Sequence, residues 1–212
     1  VTIRDPVPRI GEAIERNGFA LLLERCVPGD TLWSLNVDAA NVVVCDLARH
    51  LWVPVGADAP FARLDAVVAA WCAQVPDERR AAGYAPEVVT AAVQLGASLC
   101  ADPPADVLLH GDLHPGNILS AERTPWLAID PKPVVGDPAF DWAQLLANRI
   151  PVACTLPNPC AELTRQTRML AASCGHDPAR VAGWAMVKAL GWDLGPAPTA
   201  LLHAVWQGLC RP

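Results

Sequence analysis

The sequence predicts an α+β fold, mainly helical, with a short pair of strands holding a polar loop at its centre. Three observations lead there. Apolar residues recur at three- and four-residue steps over long windows on both sides of the middle of the chain. Between those windows the stretch Val107–Asp141, VLLHGDLHPGNILSAERTPWLAIDPKPVVGDPAFD, alternates brief apolar runs with Gly, Pro and Asp punctuation. Finally, 52% of the 212 residues are hydrophobic and 18% charged, the balance of a chain with a buried core and not of a disordered one.

Taken in order, Asn17-Gly18 reads as a hairpin turn into a strand at Phe19–Leu23, followed by the exit Glu24-Arg25-Cys26-Val27-Pro28-Gly29. From Asp38 the pattern is helical, with Val42, Cys45, Leu47, Ala48 and Leu51 recurring and Pro54 closing the segment. A second helix is expected over Phe61–Gln74, with Leu64, Val67, Val68 and Trp71 on one face. A third, Pro86–Ala101, has Pro86 near its start and ends before Asp102-Pro103-Pro104. Trp33, Trp52 and Trp71 read as packing residues.

Val107–Leu109 then reads as a strand, His110–Gly116 as a loop and Ile118–Leu119 as the strand resuming. After a turn at Ala121–Pro125, Trp126–Ile129 returns and delivers Asp130. Gly136-Asp137-Pro138 is a helix start, with Asp137 as N-cap and Pro138 first in the helix; Asp141 follows one turn along the same face. Helices around Ala161–Cys174, Pro178–Leu190 and Thr199–Leu209 complete the chain.

Net charge −6 and a pI near 5.3, with no basic cluster, argue against nucleic-acid binding. An acidic chain suits a cationic small substrate. The eight cysteines contain no C-x-x-C and most fall in apolar stretches, so free, buried thiols in a reducing cytosol are expected. The longest apolar run, Ala66–Ala73, is too short to span a bilayer, and the first residues lack an apolar signal core. A soluble, cytoplasmic protein is the expectation.

The chemistry concentrates in three residues. Asp112 is followed five positions later by Asn117, and Asp130 comes thirteen after that. Phosphoryl transfer needs such a set: a carboxylate to receive the acceptor's proton, and an amide oxygen with a second carboxylate to hold magnesium against nucleotide phosphates. Each has a plainer alternative; Asp112 beside Gly111 could be a turn former. His110 reads as a structural residue of the loop, and His114 either fixes the loop or acts in it. Neither histidine has neighbours at zinc spacing.

His110-Gly111-Asp112-Leu113-His114-Pro115-Gly116-Asn117 resembles the catalytic loop of the aminoglycoside phosphotransferase family, relatives of protein kinases with Gly in place of the kinase loop's Arg. Ile129-Asp130-Pro131 resembles that family's metal-binding segment, and IDPKPVVGDPAFD looks most like its streptomycin or hydroxyurea phosphotransferase branch. The likeness covers roughly residues 20 to 210. It implies a protein-kinase-like α+β fold, and of that fold mainly the helical C-terminal lobe with short catalytic strands. Residues 1–27 would be the remnant of the nucleotide-binding lobe and hinge, and 28–212 the catalytic and substrate-binding lobe.

The resemblance implies ATP and Mg²⁺ as cofactors, with Asp112 as catalytic base and Asn117 and Asp130 binding metal and nucleotide. The backbone from Glu24 to Cys26 would meet the adenine edge, although a plain strand exit looks the same in sequence. His110 and Asp141 would structure the loop. The helical region would build the acceptor pocket, with Asp137, Glu162, Asp177 and Asp193 as candidate carboxylates and Trp192-Asp193 the best suited to a cation.

The implied activity is transfer of the γ-phosphoryl group to a hydroxyl of a streptomycin-type aminoglycoside or hydroxyurea, conferring resistance. A small-metabolite kinase of the same fold, or an inactive truncated remnant, is the alternative. The remnant reading arises because no Gly-rich loop precedes the hinge and both lysines, Lys132 and Lys188, follow the catalytic loop. Lys132 could pair with a metal-site carboxylate or a phosphate, or fix the loop through an ion pair. Apolar surface near Phe19–Leu23 would then favour self-association.

Overall fold

The computed structural model describes residues 6–8, 14–15, 19–20, 23–56 and 58–211. In chain order the strands are β1 (Ile14–Glu15), β2 (Phe19–Ala20), β3 (Pro28–Thr31), β4 (Val53–Pro54), β5 (Ala62–Arg63), β6 (Val107–Leu109), β7 (Ile118–Ala121), β8 (Trp126–Ala128) and β9 (Val134–Gly136). The helices are α1 (Val37–Leu51), α2 (Leu64–Gln74), α3 (Pro76–Ala81), α4 (Pro86–Ala101), α5 (Ala139–Ala153), α6 (Pro159–Cys174), α7 (Pro178–Gly191) and α8 (Pro196–Leu209). They form two compact units, Val1–Leu51 with Asp112–Pro131, and Trp52–Gly111 with Lys132–Pro212.

In the first unit β1 pairs antiparallel with β2, Ile14 opposite Ala20. The Asn17-Gly18 turn expected between them, and Leu21-Leu22 of the expected strand, lie outside the described residues. A second sheet has the order β3-β7-β8, antiparallel throughout, with Ile118 opposite Ala128 and Thr31 opposite Leu119. Its core is apolar: Leu32, Leu113, Ile118 and Leu127 are fully buried. Helix α1 buries Ala40, Val44, Leu47 and Ala48, one stripe at helical spacing, and Asn36 Oδ1 caps it by accepting from the Ala39 N–H at 2.9 Å. At the β7–β8 turn Arg123 makes a forked pair with both Glu24 oxygens at 2.9–3.1 Å, and its Nη2 also donates to the Val7 carbonyl.

The second unit holds a sheet of order β4-β6-β9-β5, in which β5 runs parallel to β9 and the other pairs are antiparallel. Helices α5 and α7 are buried on nearly every side, with Trp142 and Trp184 fully enclosed, so they form the centre of its core. Gly136 lets β9 approach α2; a Cβ there would stand 2.5 Å from the Leu64 Cβ. Helix ends follow local chemistry: Asn158 and Asp177 cap α6 and α7 through their side chains, and Gly175, with φ +72°, closes α6.

Some elements differ from expectation. The segment expected to be helical from Phe61 begins its helix at Leu64, because Ala62–Arg63 pairs with β9. Val53-Pro54 does more than end a helix: it forms the edge strand β4, where a missing N–H is tolerated. Strands this short carry no readable period. All eight cysteines are free thiols, but among them only Cys45 is buried, while Cys154 and Cys210 are exposed. Among the described residues no helix is long and apolar enough to cross a membrane.

Candidate active site

In the second unit the chain leaves β6 through a corner at His110–Gly111. The buried carboxylate of Asp141, on the first turn of α5, accepts from the His110 N–H (3.1 Å) and the Gly111 N–H (2.8 Å). Trp52 Nε1 donates to the same carboxylate at 2.9 Å, so Trp52 does more than pack. On the other side of Gly111, the buried ammonium of Lys188 donates to its carbonyl at 2.8 Å. An anion thus holds this residue's N–H and a cation holds its C=O, fixing the peptide that leads into Asp112.

Gly111 is required at the corner. Its φ is +77°, and a Cβ would stand 1.9 Å from the Lys132 carbonyl oxygen. The Lys132 N–H in turn donates to the His110 carbonyl at 2.8 Å.

In the first unit Asp112 is buried, and His114 Nε2 lies 3.9 Å from its Oδ1. His114 Nδ1 accepts from the Gly116 N–H at 3.1 Å, so in the neutral ring the proton sits on Nε2, the side of Asp112. A 3-10 turn, Pro115–Asn117, follows, closed by the Asn117 N–H on the His114 carbonyl. Asn117 Nδ2 donates to the Asp112 carbonyl at 3.0 Å, leaving Oδ1 as the acceptor of that amide. The Asn117 carbonyl accepts from the Ile129 N–H at 2.9 Å, so the β7–β8 hairpin brings Asp130 next to the cross-strand partner of Asn117. Asp130 is exposed and has φ +53°, a left-handed backbone that Asp tolerates better than most residues.

No group of three or more His, Cys, Asp or Glu side chains among the described residues is set to hold a metal ion. A magnesium ion needs no such cage: it keeps much of its water and takes one or two carboxylates together with substrate phosphates. The hard oxygens of Asn117 and Asp130 fit that requirement.

The remaining candidates have partners within their own units. Asp137 caps α5 by accepting from the Ala139 N–H, and its other oxygen is held by Arg180 and the Trp184 indole. At 1% exposure, with both oxygens held, it is placed as a structural anion. Glu162 is bound by Arg165 and Gln166 of its own helix, and the Arg165 hydrogen bond holds its carboxyl below the usual range. Asp177 caps α7. Asp193 accepts from the Tyr84 hydroxyl at 2.7 Å and lies 3.5 Å from Arg79 Nη1. Glu24 is committed to Arg123, and burial, then the nearby Glu24 charge, pushes the Cys26 thiol up from its ordinary value.

Sequence reading gave Lys188 no role, although a lone charge inside the apolar run GWAMVKALGW was a usable signal, since a buried lysine needs partners. The Lys188 ammonium also lies 4.5 Å from the Phe140 ring centroid and 4.4 Å from that of Trp192; Lys132 Nζ lies over Trp192 at 5.5 Å. These rings border a cavity of about 320 Å³ that also touches Gly111.

Comparison with known proteins extends this geometry. A family model described as aminoglycoside/hydroxyurea antibiotic resistance kinase matches residues 9–191. The chain is 36% identical over 189 residues to a streptomycin 6-kinase of Streptomyces glaucescens, covering 85% of this chain and 60% of that protein. It is 40% identical over 132 residues to a hydroxyurea phosphotransferase of Kitasatospora aureofaciens, covering 60% of this chain and 38% of that protein. The chain therefore spans less than two thirds of the length of either relative.

Among solved structures, an aminoglycoside phosphotransferase from Streptomyces rimosus, in complex with ADP and streptomycin, superposes with a TM-score of 0.59 at 22% identity, over 88% of this chain and 76% of that one. A choline/ethanolamine kinase family protein from Mesorhizobium loti gives 0.62 at 16% identity, over 98% and 75%. These likenesses show a protein-kinase-like α+β fold.

Proposed function

The chain belongs to the aminoglycoside/hydroxyurea antibiotic resistance kinase family, and from that premise we propose that it transfers the γ-phosphoryl group of ATP to a hydroxyl of a small molecule. The observation that carries the reading is the hairpin: Asn117 O accepts from Ile129 N–H while Asn117 Nδ2 holds the Asp112 carbonyl, which gathers Asp112, Asn117 and Asp130 in one unit.

In this reading the Asp112 carboxylate orients the acceptor hydroxyl and takes its proton. Asn117 Oδ1 and the Asp130 carboxylate hold magnesium, which when bound neutralises charge on the nucleotide phosphates. Asp141 keeps the His110–Gly111 corner in place, so that the loop is preorganised and positioning supplies much of the rate. The backbone between Glu24 and Cys26 meets the adenine edge, with residues 1–27 on the nucleotide side and 28–212 carrying catalysis and acceptor binding.

Small-molecule phosphorylation is better supported than any one acceptor, because relatives of comparable similarity are named for streptomycin and for hydroxyurea, and the fold is shared with choline and ethanolamine kinases. A streptomycin-type aminoglycoside or hydroxyurea remains the narrower proposal, with a resistance role.

The test is transfer of labelled γ-phosphate from ATP to a panel of aminoglycosides, hydroxyurea and small hydroxyl metabolites. The expected result is magnesium-dependent labelling of an acceptor, reduced about 10²–10⁴-fold in Asp112→Ala. Undiminished transfer by Asp112→Ala would overturn the assignment of the base. Folded protein that labels no acceptor and binds no ATP would favour a non-catalytic remnant.

A further inference from the structure

Trp192 lines the cavity of about 320 Å³ beside Gly111 and is 38% exposed, so packing in the core does not by itself fix its indole. It sits where α7 ends. Its ring lies 4.4 Å from the Lys188 ammonium that holds the Gly111 carbonyl, so where this indole stands bears on the corner as well as on the cavity.

The turn that follows is closed by an unusual residue. The Asp193 N–H donates to the Leu190 carbonyl (3.4 Å) and the Leu194 N–H to the Ala189 carbonyl (3.1 Å), the pattern that ends a helix on a left-handed residue. Gly commonly takes that place; here Asp193 holds it at φ +56°. A side chain kept at a strained position points to a use for it. The Tyr84 hydroxyl donates to Asp193 Oδ1 and accepts from the Gly195 N–H, both at 2.7 Å, and Arg79 Nη1 lies 3.5 Å from Asp193 Oδ2. Tyr84 is buried; burial, then the hydrogen bond to Asp193, pushes its phenol up from the ordinary value, which keeps it a donor. The half-exposed pair with Arg79 is the weaker tie, and the buried phenol on a carboxylate the firmer one.

We infer that Tyr84, acting through Asp193, fixes the Trp192 indole as a wall of this cavity and thereby sets how tightly an acceptor is held. Tyr84 is a positioning residue, since it does not line the cavity itself. Treating the occupant as the acceptor rests on the kinase reading, because Gly111 lines the cavity and precedes Asp112 in the chain. The placement of the indole does not depend on it.

The full chain is assayed with Mg²⁺–ATP on streptomycin, hydroxyurea, choline and ethanolamine, and KM and kcat are measured for whichever is labelled. Tyr84→Phe keeps the packed ring and removes the hydroxyl; it should raise the acceptor KM about tenfold, with kcat and the KM for ATP little changed. Asp193→Ala should do the same, and the double variant no more. Asp193→Asn should recover most of the loss, because its amide oxygen still accepts from the phenol and Asn tolerates a left-handed backbone. In protein labelled with 5-fluorotryptophan, the fluorine resonance that disappears in Trp192→Phe should shift or broaden in Tyr84→Phe, while those of the buried Trp142 and Trp184 hold. An unmoved Trp192 resonance, an unchanged acceptor KM in Tyr84→Phe, additive losses in the double variant, or no recovery in Asp193→Asn would each overturn the inference. A natural chain that labels none of the four compounds counts against the kinase reading, and the Trp192 resonance then decides the role of Tyr84 by itself.

Discussion

At the His110–Gly111 corner two buried charged side chains, Asp141 and Lys188, grip the N–H and C=O of one glycine. In the β7–β8 hairpin the backbone ladder does the holding, and Asp130 at its end is exposed with a left-handed backbone. The corner is assembled from α5 and α7, distant in sequence and deep in a core; the hairpin is local. The difference separates two duties. Residues at the corner should be costly to stability when changed, whereas residues at the hairpin end should be costly to binding alone.

The sharpest break is Gly111→Ala. The left-handed backbone alone costs about 1–2 kcal/mol, and the methyl would overlap the Lys132 carbonyl, so expression should yield little folded protein by circular dichroism. Next comes Asp141→Ala, which strands the His110 and Gly111 N–H groups and the Trp52 indole; urea unfolding should show a loss of about 3 kcal/mol or more. Lys188→Met keeps the length of the chain but leaves the Gly111 carbonyl without its ammonium donor, with an expected loss of about 1–3 kcal/mol in the same assay.

The hairpin should respond in the opposite way. Asp130→Gly replaces a side chain held at φ +53° by the residue that adopts it without penalty, so stability should stay level or rise by up to about 1 kcal/mol. Magnesium-dependent nucleotide binding should nonetheless be lost. A strained residue retained at the cost of stability is the pattern of a functional position.

The smallest effect is titration of His176, next to the corner's supports. Its ring lies tilted against Trp52, with centroids 5.5 Å apart, and burial, the largest influence, holds its pKa below the ordinary 6.5. A depressed folded value means that the neutral ring stabilises the fold above pH 6.5, and that this contribution fades as pH falls through the folded value. His176→Phe should flatten the stability profile across that window in urea titrations.

What could be read from sequence follows the same division. Asp112, Asn117 and Asp130 lie on one loop and hairpin, so their spacing alone suggested a shared task. Asp141 could be placed one turn into a helix whose start is marked by Gly136-Asp137-Pro138, but its role in structuring the loop came from the family resemblance. The partner of Lys188 could not be read, because nothing local ties a lysine on α7 to a carbonyl that precedes it by 77 residues. Strands β4, β5 and β9 have two or three residues and exist only as partners of β6 and of each other. The partners of the candidate carboxylates were hidden for a related reason: those of Asp137, Arg180 and Trp184, and those of Asp193, Tyr84 and Arg79, come from remote segments.

The central claim, that Asn117 and Asp130 hold magnesium for a nucleotide, is tested most directly by calorimetric titration of ATP with and without Mg²⁺ in the natural chain and in Asp130→Gly. The account predicts affinity that depends on Mg²⁺ in the first and is lost in the second, with both proteins equally folded. Equal ATP affinity with and without Mg²⁺, or an Asp130→Gly variant that binds as the natural chain does, would contradict it.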